Sequence, residues 1–173
     1  MLAQRHVEAH ARAALGAAPD AKLLALPSAF NTLLWRVLVR EPGGYREAYL
    51  SLLVDEKPGP WRHFASEDDL IPQLAGHWAF DRLHWFTHGY HAVRRDGTAV
   101  TVTDLRMGSE PAYVFSFEVA QEIDGRLAFG ETTQRPGLRP VAAAIGWLLS
   151  RVVTPGHAMP PPDEVLARPQ SAP

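Results

Sequence analysis

The sequence predicts an α+β fold: an antiparallel sheet meander flanked by a helix at each chain end, with one or two short helices between. Three observations lead there. Runs with two-residue periodicity recur between turn-forming dipeptides. Helical periodicity is confined to the two ends and a short central stretch. A 173-residue chain that is 46% hydrophobic and 21% charged can bury a core of its own. A single α+β domain is expected over residues 1–153, with 154–173 as a proline-rich, disordered tail.

Residues 2–15 place Leu2, Val7, Ala11, Ala14 and Leu15 at helical spacing, closed by Gly16 and Pro19. The stripe is thin, so this helix is expected to lie across a larger surface without nucleating the core. KLLAL, 22–26, reads as a short strand ended by Pro27. TLLWRVLVR, 32–40, alternates, with Trp35, Val37 and Val39 on one face and Leu34, Arg36, Leu38 and Arg40 on the other. EPGG then turns the chain into YREAYLSLLV, where Ala48, Leu50, Leu52 and Val54 share a face. KPGP breaks that run, and WRHF resumes it. Ser66 is placed to cap a helix whose first turn is acidic, but Pro72 keeps that helix short. HWAFDRLHWF, 77–86, reads as a second short helix.

Asp96-Gly97 between β-branched runs marks a two-residue hairpin. Pairing Arg95 with Thr98 puts His91 opposite Val102 and Val93 opposite Val100, all four on one apolar face. YVFSFEV, 113–119, alternates again, with Glu118 turned to solvent. Asp124-Gly125 marks a further turn before an edge strand in RLAFGE. The segment from Pro140 to Val153 reads as a closing helix, apolar almost all round and therefore docked.

Net charge is −2, so no polybasic surface is available and nucleic acid is not expected as a partner. With no cysteine, disulfide scaffolds, zinc ribbons and thiol nucleophiles are excluded. Lys22 and Lys57 are the only lysines, which leaves little scope for a Schiff base. The N-terminus lacks the apolar core of a secretory signal. The longest apolar run, Val141 to Leu149, is far short of the roughly 20 residues a membrane span needs, so no transmembrane segment is expected.

HWFTHGYH, 84–91, concentrates three histidines. On an unbroken helix His84 and His88 would stack at ligand spacing, with Asp81 completing a set and His91 close behind. Gly89 is expected to stop the helix, so that the imidazoles diverge, with His91 a buried, hydrogen-bonded residue of the hairpin. His6 and His10 repeat the four-residue spacing without a third ligand. A second cluster joins Asn31, Arg36, Asp104 and Arg106. An arginine inside an apolar strand needs a carboxylate, so Arg36 is expected to pair with Asp104, either as a structural ion pair or as part of an anion pocket. No nucleophile elbow, zincin, phosphate-loop or dinucleotide motif is present.

PSAFNTLLWRVLV, GGYREAYLSLL, LHWFTHGYHAV and VTDLRMGSEPAYVFSFEVA, in that order, resemble the soluble C-terminal region of the bacterial inner-membrane-associated, metal-dependent hydrolases, the LexA-binding group. The likeness spans residues 3–153. It implies an association with a membrane-embedded hydrolase, a divalent metal as the family's cofactor, and a cytoplasmic place at the periphery of the inner membrane. The family's metal-binding histidines sit in a bundle of membrane helices not found in these residues. Thr87-His88 echoes a Thr-His of that motif in a different region, so its role is not transferred. The leading expectation is an accessory or ligand-sensing domain, not itself catalytic, whose ligand is a small molecule. The alternatives are a metal-dependent hydrolase acting through His84 and His88, and a protein-interaction module.

Overall fold

The structure, a computed structural model, describes residues 2–16, 21–29, 31–137 and 141–166. Pro19 and Pro140, expected to close the first helix and open the last, lie outside those residues. The architecture is α+β, with helices and antiparallel sheets as the periodicities indicate. The chain divides into two compact units. One comprises Met1–Glu41, Arg46–His63 and Arg139–Pro173; the other comprises Pro42–Tyr45 and Phe64–Leu138. The breaks after Tyr45 and His63 fall inside strands, where composition does not change and so does not mark them, whereas the break after Glu41 falls at the Pro42-Gly43 turn.

α1 (Leu2–Leu15) is followed by β1 (Leu23–Pro27), β2 (Leu34–Glu41), β3 (Gly44–Ser51) and β4 (Arg62–Ala65), strands that neighbour one another in sequence order; they belong to the first unit except for Gly44, Tyr45, Phe64 and Ala65. β1 and β2 are antiparallel from Leu23↔Val39 to Pro27↔Trp35. Val7 and Ala11 are fully buried among Leu23, Ala25, Trp35, Val37, Val39 and Leu50. The thin stripe of α1 is thus a wall of this core, because small residues let the helix approach the sheet closely; burying one valine this way contributes about 1.5–3 kcal/mol. Leu34 and Tyr49 pack with Trp147 of α4 (Val141–Val153).

α4 docks by one face only: Trp147 and Arg151 are buried, whereas Ile145, Leu149 and Val153 are exposed. The expected disordered tail is structured as far as residue 166. A 3-10 turn, Gly156–Ala158, and α5 (Pro162–Leu166) are tied down by specific bonds. Trp147 Nε1 donates to Pro160 O at 2.8 Å, and Arg62 Nη2 reaches Asp163 Oδ2 at 2.6 Å. Arg151 anchors the same segment, donating to Thr154 O, Tyr49 O and Asp55, while Asp55 Oδ1 accepts from Gly156 N. Polar composition suggested disorder; these long-range contacts supply the order that composition cannot show.

The second unit carries a 3-10 turn at Asp68–Leu70, α2 (Ile71–Leu74), α3 (Trp78–Phe86), β5 (His91–Asp96), β6 (Ala99–Asp104), the short pair β7 (Gly108–Ser109) and β8 (Ala112–Tyr113), β9 (Ser116–Ile123), β10 (Arg126–Ala128) and β11 (Thr133–Arg135). Its main sheet has the order β10-β9-β6-β5, with β11 also on β9. Leu70, Leu74, Ala79 and Phe80 cover one sheet face against Val93, Val100, Val102 and Ala120.

The β5–β6 hairpin is slipped by two residues from the expected register: Asp96 faces Ala99, Val93 faces Val102 and His91 faces Asp104. Gly97, with φ +61°, is the first residue of a Gly97-Thr98 loop, the placement a type II′ turn requires. An even slip preserves facing, so His91, Val93, Val100 and Val102 still share the core side. The expected continuous strand 113–119 is divided between β8 and β9, and a bulge interrupts β9 opposite Val100 and Thr101.

Candidate ligand-binding cleft

The register that buries Val93, Val100 and Val102 sends the intervening side chains to the opposite face of the sheet. Arg94 pairs with Thr101, Thr103 with Ser116, Thr101 with Glu118, and Arg135 with Ser116. Six polar residues from four strands therefore share one face. Five of them line a cleft of about 490 Å³, bordered also by Glu110 and Tyr113. That volume falls within the range of small-molecule sites.

The walls are held by hydrogen bonds. Thr101 Oγ1 donates to Arg94 O at 3.2 Å, and the Thr103 and Ser116 hydroxyls are 2.9 Å apart. Arg135 Nε donates to Glu118 Oε2 at 2.9 Å, so Glu118 is turned inward to a partner, not outward to solvent as alternation suggested. At one side Arg94 Nη2 donates to Glu110 Oε1 at 2.6 Å and to Tyr45 Oη at 2.9 Å, while Tyr45 donates to Glu110. Tyr113 Oη lies 3.4 Å from Tyr45 Oη. Burial, and then the adjacent Glu110 carboxylate, hold the Tyr45 phenol well above its ordinary range. It is a fixed donor at neutral pH.

Two glycines shape this side. A side chain at Gly108 would meet Ala112 O at 2.5 Å, and one at Gly137 would meet Tyr113 O at 2.3 Å. The backbone can pass there only without a Cβ.

The residues singled out from sequence do not form one site. Asn31 Oδ1 accepts from the backbone N–H groups of Leu33 and Leu34, organising the entry to β2. Arg36 pairs with Glu47, its Nε donating to Oε2 at 2.7 Å, and not with Asp104. Asp104 is instead bonded by Arg106, whose Nε and Nη2 donate at 2.9 and 2.7 Å and whose backbone N–H also reaches Oδ1. Glu47 satisfies Arg36 from within its own unit, and the two-residue spacing lets Arg106 fold back on Asp104.

Among the metal candidates, Asp81 Oδ1 accepts from Gly76 N at 3.2 Å. α3 ends at Phe86, with Thr87 as its C-cap, and both His88 and Gly89 have positive φ, +52° and +71°. His88 therefore leaves the helical face that carries His84, as the chain-stop reading expects. His91 is buried, with Nδ1 3.1 Å from Thr87 Oγ1. Its ring meets those of His84 and Phe80 edge-on at 5.1 and 5.7 Å. Among the described residues no group of three or more His, Asp or Glu is placed to hold an ion.

The cleft itself was missed in the sequence. Its one local signal is the Thr101-Val102-Thr103 alternation, whose apolar half alone guided the reading. No family model, curated protein or solved structure matches the chain. Among the described residues, no helix is long and apolar enough to cross a membrane.

Proposed function

We propose that the chain is a ligand-binding, sensing domain that takes a small polar anion on the polar sheet face of its second unit, without catalysing its conversion. In line with the resemblance of its segments, we further propose that it serves as an accessory domain to a membrane-bound, metal-dependent hydrolase. The observation that carries the binding reading is the cleft bounded by Arg94 and Arg135, with Thr101, Thr103 and Ser116 hydroxyls between them. Each guanidinium is oriented by a carboxylate, Glu110 or Glu118, so little side-chain freedom is left to lose on binding. Arg94 Nη1 has no hydrogen-bond partner among the described residues, which leaves a charged donor for a carboxylate or phosphate oxygen. Tyr45, which burial and the adjacent Glu110 keep protonated, donates to Glu110 and so helps fix the carboxylate that orients Arg94.

Thermal unfolding in the presence of inorganic phosphate and of small di- and tricarboxylates tests this. At a hundred times its Kd a ligand stabilises by about 2.7 kcal/mol, a rise of roughly 5–10 °C for a chain of this size. Arg94→Gln and Arg135→Gln should abolish the rise. The proposal fails if none of these anions raises the midpoint, or if the rise survives both substitutions.

A further inference from the structure

α3 is amphipathic in an unusual sense. Ala79, Phe80 and Leu83 pack against the core of the second unit, and the opposite side of the helix is aromatic where a solvated helix is normally polar. Trp78 is 75% exposed, Trp85 64% and Phe86 52%, and Met107 beyond them is 50% exposed. Trp78, Arg82 and Trp85 lie at i, i+4 and i+7, so they form one ridge. The Arg82 guanidinium sits 5.4 Å from the centre of the Trp85 ring, and that of Arg106 sits 4.7 Å from the centre of Phe86. The patch is thus a row of rings with two cations laid on it.

From this we infer that the α3 ridge docks on an anionic lipid surface. Three features select that occupant. First, each indole presents an apolar body and, among the described residues, an N–H without a protein partner; the headgroup region wets one and buries the other. Second, Arg82 has no carboxylate partner among the described residues, so its charge is available to lipid phosphate. Asp81, the acid on this helix, accepts from the Gly76 backbone N–H and keeps its charge, and Arg106 is paired with Asp104, so Arg82 is the cation of the ridge that no carboxylate partners among the described residues. The exposed His84 and His88 add no negative charge. Third, none of these rings borders the polar cleft, which lies on the other face of the sheet. Docking through α3 leaves the cleft open to solvent. The inference rests on α3 and its neighbours, not on the ligand reading or on the family resemblance.

Vesicle flotation with the full chain tests it. Phosphatidylcholine vesicles are compared with vesicles carrying about a third phosphatidylglycerol. The chain should float with the anionic vesicles, with a blue shift of tryptophan emission. A Trp78→Ser/Trp85→Ser variant, whose folding is checked by circular dichroism, should lose at least about tenfold in partitioning. Arg82→Gln should lose about fivefold on anionic vesicles and nothing on neutral ones, since one cation near the surface contributes about 1 kcal/mol. An Ile145→Ser/Leu149→Ser/Val153→Ser variant, which strips the other exposed apolar face, should float like the parent chain. Three results would overturn the inference. They are no flotation with either composition, equal flotation by the double tryptophan variant, and a sizing profile in which that variant merely converts a dimer to a monomer.

Discussion

Glu47→Gln tests the energetics of the first unit most directly. Arg36 and Glu47 are almost wholly inaccessible, with side chains 5% and 1% exposed, and Glu47 accepts from two guanidinium nitrogens. The amide keeps the volume and one accepting oxygen but removes the charge. The guanidinium cannot neutralise itself, so it remains a buried cation with no counter-charge from Glu47. Breaking a buried pair in this way costs about 3–5 kcal/mol. At roughly 2–4 °C per kcal/mol for a chain of this length, the unfolding midpoint should fall by about 6–20 °C. Replacing both partners, Arg36→Met with Glu47→Leu, removes charge and counter-charge together and should change stability by no more than about 1 kcal/mol, or raise it. Urea unfolding of the parent, the single and the double variants measures all three. A single variant within 1 kcal/mol of the parent, or a double variant less stable than the single, would refute the claim that desolvation dominates at this pair.

Two further predictions concern the second unit. Tyr45 has a folded-state pKa above its unfolded value, so its contribution to stability is complete below about pH 10 and is lost as pH rises beyond that. In an absorbance titration of the four tyrosines, one should ionise only as the unit unfolds, and Tyr45→Phe should remove that delayed step; a Tyr45→Phe titration identical to the parent's would count against it. Gly108 combines φ +111° with a Cβ position 2.5 Å from a backbone oxygen. Gly108→Ala should therefore cost at least about 1–3 kcal/mol, and a midpoint unchanged in thermal unfolding would show that β7 can shift at no cost.

The elements were legible where they depend on neighbours in sequence. Pro27 ends β1, α2 is short with Pro72 in its first turn and Gly76 at positive φ just beyond its end, and the Asp96-Gly97 and Asp124-Gly125 pairs each sit at a hairpin, because turn chemistry acts over two to four residues. The loss of helical geometry before His91 was legible for the same reason: Gly89 favours positive φ, and His88 adopts it as well. The exact register was not, since Asp96-Gly97 and Gly97-Thr98 are both acceptable loops and differ by two residues of pairing. The cleft was legible only in its Thr101 and Thr103 row. Its other residues come from separate strands, and Glu110 meets Tyr45 across 65 positions of chain.

By itself the sequence determined the α+β class, the hairpins, the short central helices and the absence of cysteine chemistry, all properties of composition or of short-range periodicity. Tertiary structure alone decided which carboxylate each buried arginine meets. Arg36 took Glu47 and left Asp104 to Arg106, because a charge removed from water pairs with whatever counter-charge the folded strands bring within hydrogen-bond reach. It also decided that residues 154–166 are ordered and that a polar sheet face closes into a cleft, since both follow from contacts between residues far apart in the chain.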